Sequence, residues 1–211
     1  MEIFILADED QKSEILSISP TDKASITFAS NMPEENDWKN YDAFFLLSYY
    51  RQINPSKLAG KRVYINEVNT TLAELNFPDN FCRINGWKGF LKRPVWEVAT
   101  SKPQKNEEIF HFLNRKVILV KDEPGLISAR VISMIVNEAF FALGEKVSSE
   151  KEIDMAMKLG TNYPYGPFEW AKKIGIEKIY DLLKKLSEKE DRYIQAPALK
   201  KIYSETFGMN L

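Results

Sequence analysis

Cysteine and histidine are nearly absent from this chain of 211 residues, which contains one of each, Cys82 and His111. A single cysteine cannot form an internal disulfide, and it excludes a zinc site built from several thiolates. One histidine adds little for zinc, so we expect no metal site. The simplest role for Cys82 is that of a small buried hydrophobe, and His111 is expected to have a structural role on a helix that covers a sheet.

Long apolar runs are also missing. No run approaches the roughly 18 residues that a membrane helix needs. The N-terminus lacks the basic, then apolar, then small-residue pattern of a signal peptide. We therefore expect a soluble protein of the cytoplasm with no membrane partner.

Positive charge is scarce in the first 42 residues, which hold ten acidic residues against Lys12, Lys23 and Lys39. Nucleic-acid binding depends on neutralising phosphates, and an acidic surface opposes it. A basic segment, residues 83–93, is too short to reverse this expectation. It is either a solvated loop or a phosphate contact. We expect no nucleic-acid partner.

The first 120 residues alternate short apolar runs with polar stretches, which predicts a sheet. The runs are nearly continuous, as is typical of strands covered on both faces. Strands are predicted over Glu2–Ala7, Ala24–Ala29, Ala43–Leu47, Arg62–Asn66, Phe81–Ile84, Val95–Ala99 and Lys116–Val120. Helices are predicted over Gln11–Ile18 and Asn106–Asn114. Most segments between strands are too short for full helical crossovers, which indicates a reduced α/β domain.

The segment Lys121–Gly125 punctuates the chain with proline and glycine, and the pattern after it is helical. We therefore predict an α/β domain over residues 1–121 and an all-α domain over 122–211. Ser149 and Glu152 form a capping-box pattern that opens one helix. Predicted helices run over Leu126–Leu143, from Ser149 to Leu159, and over Phe168–Ile174, Glu177–Leu186 and Ala198–Phe207.

The helix predicted over Leu126–Leu143 is apolar on nearly every side. A domain of about 90 residues cannot easily enclose such a helix, and soluble monomers avoid bare apolar patches. A twofold interface would cover it. We predict a homodimer through this helix. The alternative is a monomer in which the α/β domain folds back over it.

The C-terminal part carries a series of motifs in order. They are Asp122-Glu123-Pro124-Gly125, Arg130 on the apolar helix, Asn137-Glu138-Ala139, Ile153-Asp154, the run from Ala156 to Gly160, and Tyr163-Pro164-Tyr165-Gly166-Pro167-Phe168-Glu169. This series resembles the C-terminal helical domain of the 3-hydroxyacyl-CoA dehydrogenases, which act in fatty-acid metabolism. The resemblance implies a Rossmann-like NAD-binding domain followed by a helical domain that pairs two subunits and closes over an acyl-CoA.

The family binds NAD through a glycine-rich turn after its first strand, where small residues let the backbone approach the pyrophosphate. Here the first strand runs directly into Asp8, Glu9 and Asp10, and no glycine precedes Gly60. Side chains would block the approach, and three carboxylates would face the anion. We therefore expect no NAD binding and no other cofactor.

Against the family's catalytic pattern, Asn85 stands at the position of the general-base histidine and Glu97 at that of its orienting glutamate. Thr70 stands at the position of a substrate-binding serine, and Ala129 replaces an asparagine. Asparagine has no pKa near neutrality and cannot act as a general base. The resemblance therefore implies lost or impaired catalysis, and it leaves open whether the chain is an enzyme.

Trp87, Lys88, Lys92 and Arg93 surround the position of the lost histidine. These side chains could grip a flat anionic ligand, such as the adenine-phosphate end of coenzyme A. They could equally plug the vacated pocket. Two functions remain open on the sequence. One is a divergent dehydrogenase, and the other is a non-catalytic, dimeric acyl-CoA-binding or interaction module.

Overall fold

A computed structural model describes residues 1–21, 23, 25–48, 50–102 and 107–208. The chain divides into two compact units. The first unit comprises Met1–Leu126 and contains the sheet, and the second begins at Ile127 and is helical.

The first unit is built on one seven-stranded sheet with the order β2-β1-β3-β4-β5-β6-β7. The strands are β1 Glu2–Leu6, β2 Ser25–Ala29, β3 Ala43–Leu46, β4 Arg62–Asn66, β5 Phe81–Ile84, β6 Val95–Thr100 and β7 Lys116–Val120. Neighbouring strands are parallel except β5 and β6, which are antiparallel. All seven predicted strands are therefore present. Ala24 and Asn106, which begin a predicted strand and a predicted helix, lie outside the described residues.

Both faces of this sheet are covered, which explains why its strands read as continuous apolar runs. Successive side chains of a strand point to opposite faces. Ile3 and Ile5 of β1 belong to one core cluster, and Phe4 and Leu6 belong to another. The Rossmann-like α/β class predicted for this part of the chain is confirmed.

The connections in the sheet unit contain α1 Glu9–Leu16, α2 Leu72–Leu75 and α3 Glu107–Phe112. Three 3₁₀ turns lie over Glu35–Asn40, Tyr50–Gln52 and Pro55–Leu58. Sequence periodicity did not predict α2 or the turns, because three to six residues are too few to show a helical repeat. A local signal for α2 does exist, since Thr71 and Glu74 form a capping box at its start.

Arg83 fastens the segment after β7 to the sheet. Its side chain is fully buried on β5. Its Nε donates to Asp122 Oδ1 over 2.7 Å, and one terminal nitrogen donates to the carbonyl of Glu123 over 2.8 Å. The other terminal nitrogen donates to the carbonyls of Glu67 and Val68. The sheet unit accordingly extends to Leu126, beyond the boundary predicted at residue 121.

The described part of the helical unit contains five helices, of which α4 and α6 contact most of the others. Its elements are α4 Ser128–Gly144, α5 Glu150–Thr161, α6 Pro167–Ile174, α7 Ile176–Ser187, a 3₁₀ turn over Asp191–Tyr193 and α8 Pro197–Phe207. α4 contacts α6, α7 and α8, and α5 contacts α6. Every predicted helix of this unit is present. No helix among the described residues is both long and apolar enough to cross a membrane.

Two details of the helical unit differ from expectation. α4 is not buried all round, because Ile127 just before it and Val131 on it are 51% and 48% exposed. On α5, the apolar pattern of the sequence predicts an inner face with Ile153, Ala156 and Met157, but none of the three is buried, and the buried residue is Asp154. The reason is chemical, since this carboxylate turns inward to accept backbone N–H groups of α6.

Candidate functional site

The order of the strands locates the candidate site. β1 connects to β2 on one side of it, and β3 connects to β4 on the other side, so the connections run in opposite directions from the neighbouring strands β1 and β3. In open α/β sheets, ligands bind at the carboxyl ends of the strands beside such a reversal. Here that edge is formed by the start of α1, the ends of β3 and β4, and the loop that follows β5.

The N-terminal end of α1 is closed by its own side chains. The Asp8 carboxylate accepts the backbone N–H of Gln11 over 2.8 Å, and the Gln11 side-chain oxygen accepts the N–H of Asp8 over 3.0 Å. The Gln11 amide also donates to the carbonyl of Leu47 at the end of β3, over 3.0 Å. The side chain of Gln11 is buried, so it fills the reversal point. Sequence reasoning missed Gln11, although its position three residues after an N-cap aspartate is a capping-box pattern.

The loop after β5 is bound to α1 through two carboxylates. Lys88 Nζ contacts Asp10 Oδ2 at 2.6 Å, and this hydrogen bond raises the pKa of Lys88. The Glu14 carboxylate accepts the backbone N–H groups of Gly89 and, over 3.2 Å, Leu91. The basic residue and the loop backbone therefore neutralise acids of α1.

Arg115 fixes the other end of α1 to the same loop. Its guanidinium donates to the carbonyl of Ile15 over 2.8 Å and to that of Leu91 over 3.3 Å. Burial lowers the pKa of Arg115 to about 10. Carbonyls at a helix C-terminus carry partial negative charge, so the cation is placed where it is stabilised. Helix and loop are thus joined at both ends.

Of the residues predicted to grip a ligand or plug the pocket, Trp87 is 4% exposed. Arg93 lies over the ring of Phe90, 4.3 Å from its centroid, and Phe90 is buried. Lys92 is half-buried. The indole ring is therefore covered by protein, as the plugging alternative expects. Binding of a ligand by these residues stays a prediction.

Of the predicted catalytic positions, Asn85 directly follows β5 and Glu97 lies on the neighbouring strand β6. The last antiparallel pairs are Arg83 with Ala99 and Ile84 with Val98, so the register continued by one residue sets Asn85 opposite Glu97. Asn85 is buried, and its side-chain oxygen accepts the N–H of Trp87 over 3.2 Å. An amide and a carboxylate can orient a hydroxyl, but the amide of Asn85 cannot accept its proton.

Thr70 lies in the loop after β4, where a buried acid that sequence reasoning missed positions it. Glu67 Oε1 accepts the backbone N–H groups of Asn69 and Thr70, each over 3.0 Å. Glu67 Oε2 pairs with Arg51 at 2.6 Å. An acid directly after a buried strand, at the carboxyl edge of a parallel sheet, is the signal that could have identified Glu67.

The remaining candidates lie elsewhere. Cys82 is buried in the sheet core and His111 is exposed on α3. Ala129 is buried on α4. Among the residues that the structure describes, no group of three or more histidines, cysteines or acids could hold a metal ion.

A cavity of about 550 Å³ adjoins the candidate site at the ends of β1 and β2. Leu6, Trp38 and Ile53 give it apolar walls, and Glu34 and Glu35 bring negative charge. Lys57 is paired with Glu35. With Asp8, Glu9 and Asp10 at the start of α1, the described residues do not fit a pyrophosphate group, because no glycine backbone can approach it and carboxylates would repel it.

In the helical unit, residues of the motif series hold helix ends in place through hydrogen bonds. Asp154 accepts the N–H groups of Phe168 and Glu169 over 2.8 and 3.2 Å, which caps α6. Gly166 is required beside it, because a Cβ there would lie 2.4 Å from Asp154 Oδ1. Asn137 accepts the N–H of Ala196 over 2.8 Å and donates to the carbonyl of Ile194 over 2.9 Å. These motifs therefore fix helices and carry no chemistry of their own.

Comparison with known proteins finds similarity to the same family that the motifs resemble. Residues 125–208 match the family described as 3-hydroxyacyl-CoA dehydrogenase, C-terminal domain. A 3-hydroxyadipyl-CoA dehydrogenase of Escherichia coli is 42% identical over 101 residues, which are 46% of this chain and 21% of that protein. A 3-hydroxybutyryl-CoA dehydrogenase of Bradyrhizobium diazoefficiens is 33% identical over 100 residues, which are 46% of this chain and 34% of that protein. The matches thus span about a fifth to a third of these relatives' length.

Similar folds are found among solved structures. An (S)-3-hydroxybutyryl-CoA dehydrogenase of Ralstonia eutropha superimposes with a TM-score of 0.75 at 17% identity, covering 98% of this chain and 94% of that one. A 3-hydroxybutyryl-CoA dehydrogenase of Escherichia coli gives a TM-score of 0.57 at 30% identity, covering 69% of this chain and 32% of that one. The first similarity concerns the fold alone.

Proposed function

We propose that this chain is a dehydrogenase-like protein of fatty-acid metabolism with lost or impaired catalysis, because its residues 125–208 match the C-terminal domain of the 3-hydroxyacyl-CoA dehydrogenase family. Its sheet unit is the counterpart of the family's nucleotide-binding domain. Its helical unit is the counterpart of the C-terminal domain. An acyl-CoA is the proposed ligand.

The closed end of α1 is the observation that carries this proposal. A dinucleotide site needs free N–H groups and small residues where a helix follows the first strand. At that point Asp8 accepts the N–H of Gln11, and the Gln11 side chain reaches the carbonyl of Leu47. Opening the site would require breaking these bonds and the contact of Lys88 with Asp10.

A second argument comes from the paired positions Asn85 and Glu97. Oxidation of a 3-hydroxyl removes a hydride from C3 and a proton from the hydroxyl oxygen, and an amide cannot accept that proton. Thr70 could still donate or accept a hydrogen bond. The proposed remnant is therefore a place that recognises a hydroxyl or carbonyl and has an amide where the family has its general-base histidine.

Calorimetric titration with NADH tests the cofactor part of the proposal. We expect no detectable heat of binding at near-physiological salt, while a family enzyme with an intact glycine-rich turn serves as the positive control. A dissociation constant in the micromolar range would contradict the proposal. Asn85→His should leave acetoacetyl-CoA reduction undetectable, because the cofactor site is altered as well.

Ligand binding needs a separate titration, because it does not depend on the cofactor. We expect acetoacetyl-CoA to bind to the chain without NADH, and Thr70→Val to weaken that binding while Thr161→Val, on an exposed helix end, leaves it unchanged. Equal binding by both variants would argue against a role for Thr70. If acetoacetyl-CoA does not bind at all, the proposed ligand is wrong, and a non-catalytic interaction module is the remaining function.

The alternative, a non-catalytic dimer, is favoured by the exposed apolar side of α4. Ile127 and Val131 are about half exposed on one face, and a twofold contact would cover them. Light scattering at tens of micromolar should give twice the chain mass of 24.4 kDa. The Val131→Asp variant should have the mass of a single chain. The control variant Val147→Asp, in the turn after α4, should keep the mass of two chains. A single chain mass for the unaltered protein would exclude the dimer.

A further inference from the structure

A groove in the helical unit consists of two adjoining cavities with different linings. The first, of about 350 Å³, is apolar. Its walls are Phe140, Phe168, Ala171, Gly175, Ile176 and Ile202. The second, of about 430 Å³, is lined mostly by charged residues. Glu150 and Lys172 line both cavities and therefore mark the place where they meet.

The apolar cavity is built on a rigid floor. Phe140 of α4 and Phe168 of α6 are both buried, and their rings meet edge to face with centroids 5.0 Å apart. Gly175, between α6 and α7, has φ +102°, and a Cβ there would lie 2.4 Å from Glu177 Oε1. A side chain at this wall would be strained by the backbone conformation. The volume lies at the lower end of the range of about 300–1,000 Å³ that is typical of small-molecule sites.

The charged cavity is lined by three lysines and three acids, and two of the acids are held by several donors each. Two of its acids already have donors, since Asp154 accepts two backbone N–H groups and Glu169 accepts Lys158 Nζ and the N–H of Gly166. The hydrogen bond from Lys158 lowers the pKa of Glu169, so that ion pair persists near neutrality. The remaining charged residues of this cavity are two lysines, Lys151 and Lys172, and one acid, Glu150.

Lys172 is placed to meet an anion at the junction of the two cavities. Its amine lies 3.7 Å from Glu150 Oε2, and its side chain is 78% exposed. An exposed ion pair at that separation is weak, so exchanging one carboxylate for another costs little. The apolar cavity requires a hydrocarbon occupant, and the junction favours a carboxylate beside it.

We infer that this groove binds an aliphatic carboxylate of medium chain length, with its chain against Phe140 and Phe168 and its carboxylate at Lys172. The site lies wholly within the helical unit and is independent of the candidate site on the sheet. It needs neither NAD nor turnover. The inference therefore goes beyond the proposed function and can fail separately from it.

Titration of the full chain with sodium octanoate, followed by the methyl NMR signals of Ile202 and by calorimetry, tests the site. We expect saturable binding with a dissociation constant below about 1 mM. Ala171→Trp should fill the apolar cavity and abolish binding. If that variant does not fold, Ile176→Trp, which is half-buried at the mouth, provides the same test.

Lys172→Gln should weaken octanoate binding about threefold, as expected for an exposed ion pair. Lys184→Gln, an exposed lysine on α7, should leave it unchanged, and octanol should bind the two variants equally. Lack of saturation would overturn the inference, as would equal effects of the two lysine variants. Ile202 signals that respond to protein concentration and not to octanoate would show a second chain in the groove, which also overturns it.

Discussion

Removing the Asp154 carboxylate should destabilise the helical unit by about 2–3 kcal/mol. Its two oxygens accept the N–H groups of Phe168 and Glu169. Loss of an N-cap costs about 0.5–2 kcal/mol, and a hydrogen bond to a charged group contributes about 1.5–3 kcal/mol. The two ranges describe partly the same bonds and are not added, so we take the upper part of the second range, because the Asp154 carboxylate accepts two N–H groups. Asp154→Ala leaves both N–H groups without this acceptor at a buried helix start.

Urea denaturation followed by circular dichroism at 222 nm measures this effect, since α5 and α6 both contribute to the helical signal. Asp154→Asn should lose most of the same free energy, because its amide would face one of the two N–H groups as a donor. Glu188→Ala, an exposed acid after α7, is the control and should stay within about 0.5 kcal/mol of the unaltered chain. An Asp154→Ala variant that unfolds at the same urea concentration as this control would refute the reasoning.

Three further predictions concern single groups. Serine hydroxyls hold the pKa of Glu152 at about 2. Its contribution to stability is therefore present above its ordinary value of 4.5 and is lost as pH falls towards 2, and a carboxyl NMR titration midpoint near 4.5 would disprove this. Arg83→Met should cost about 3–5 kcal/mol in chemical denaturation, because it leaves Asp122 partly buried without its cation, and a loss below 1 kcal/mol would contradict it. Gly86→Ala should lower the melting temperature, since its Cβ would lie 2.6 Å from Asn66 Cγ; an unchanged melting temperature would show that the loop shifts freely.

Most of the fold could be predicted because its elements are long or strongly apolar. β1 and β3 consist of buried residues on both faces, and such runs are visible without any knowledge of their partners. The helix over Ser128–Gly144 has many apolar positions, so its existence was clear. Which side of it is covered depends on α6, α7 and α8, and the sequence of α4 alone does not contain that information.

The candidate site was harder to predict because its bonds join residues far apart in the chain. Glu14 meets Gly89 and Leu91, and Lys88 meets Asp10, across more than seventy residues. The sequence showed an acidic segment and a basic segment, but it did not show that the two neutralise each other. The sequence also showed Asp154 only as part of a motif. That Asp154 caps the start of α6 is visible only in the structure, where α5 packs against α6.

The attachment of Arg83 to Asp122 and Glu123 has a consequence for how the chain is made. Synthesis proceeds from the N-terminus, so a nascent chain that ends at Val120 already contains all seven strands. It still lacks the carboxylate and the carbonyl that receive this guanidinium. A cation is costly to bury without its carboxylate, even where carbonyls accept some of its N–H groups, so we expect the carboxyl edge of the sheet to close only after residue 123 has left the ribosome. A fragment designed to contain the sheet unit should therefore end at Leu126 and not at the last strand.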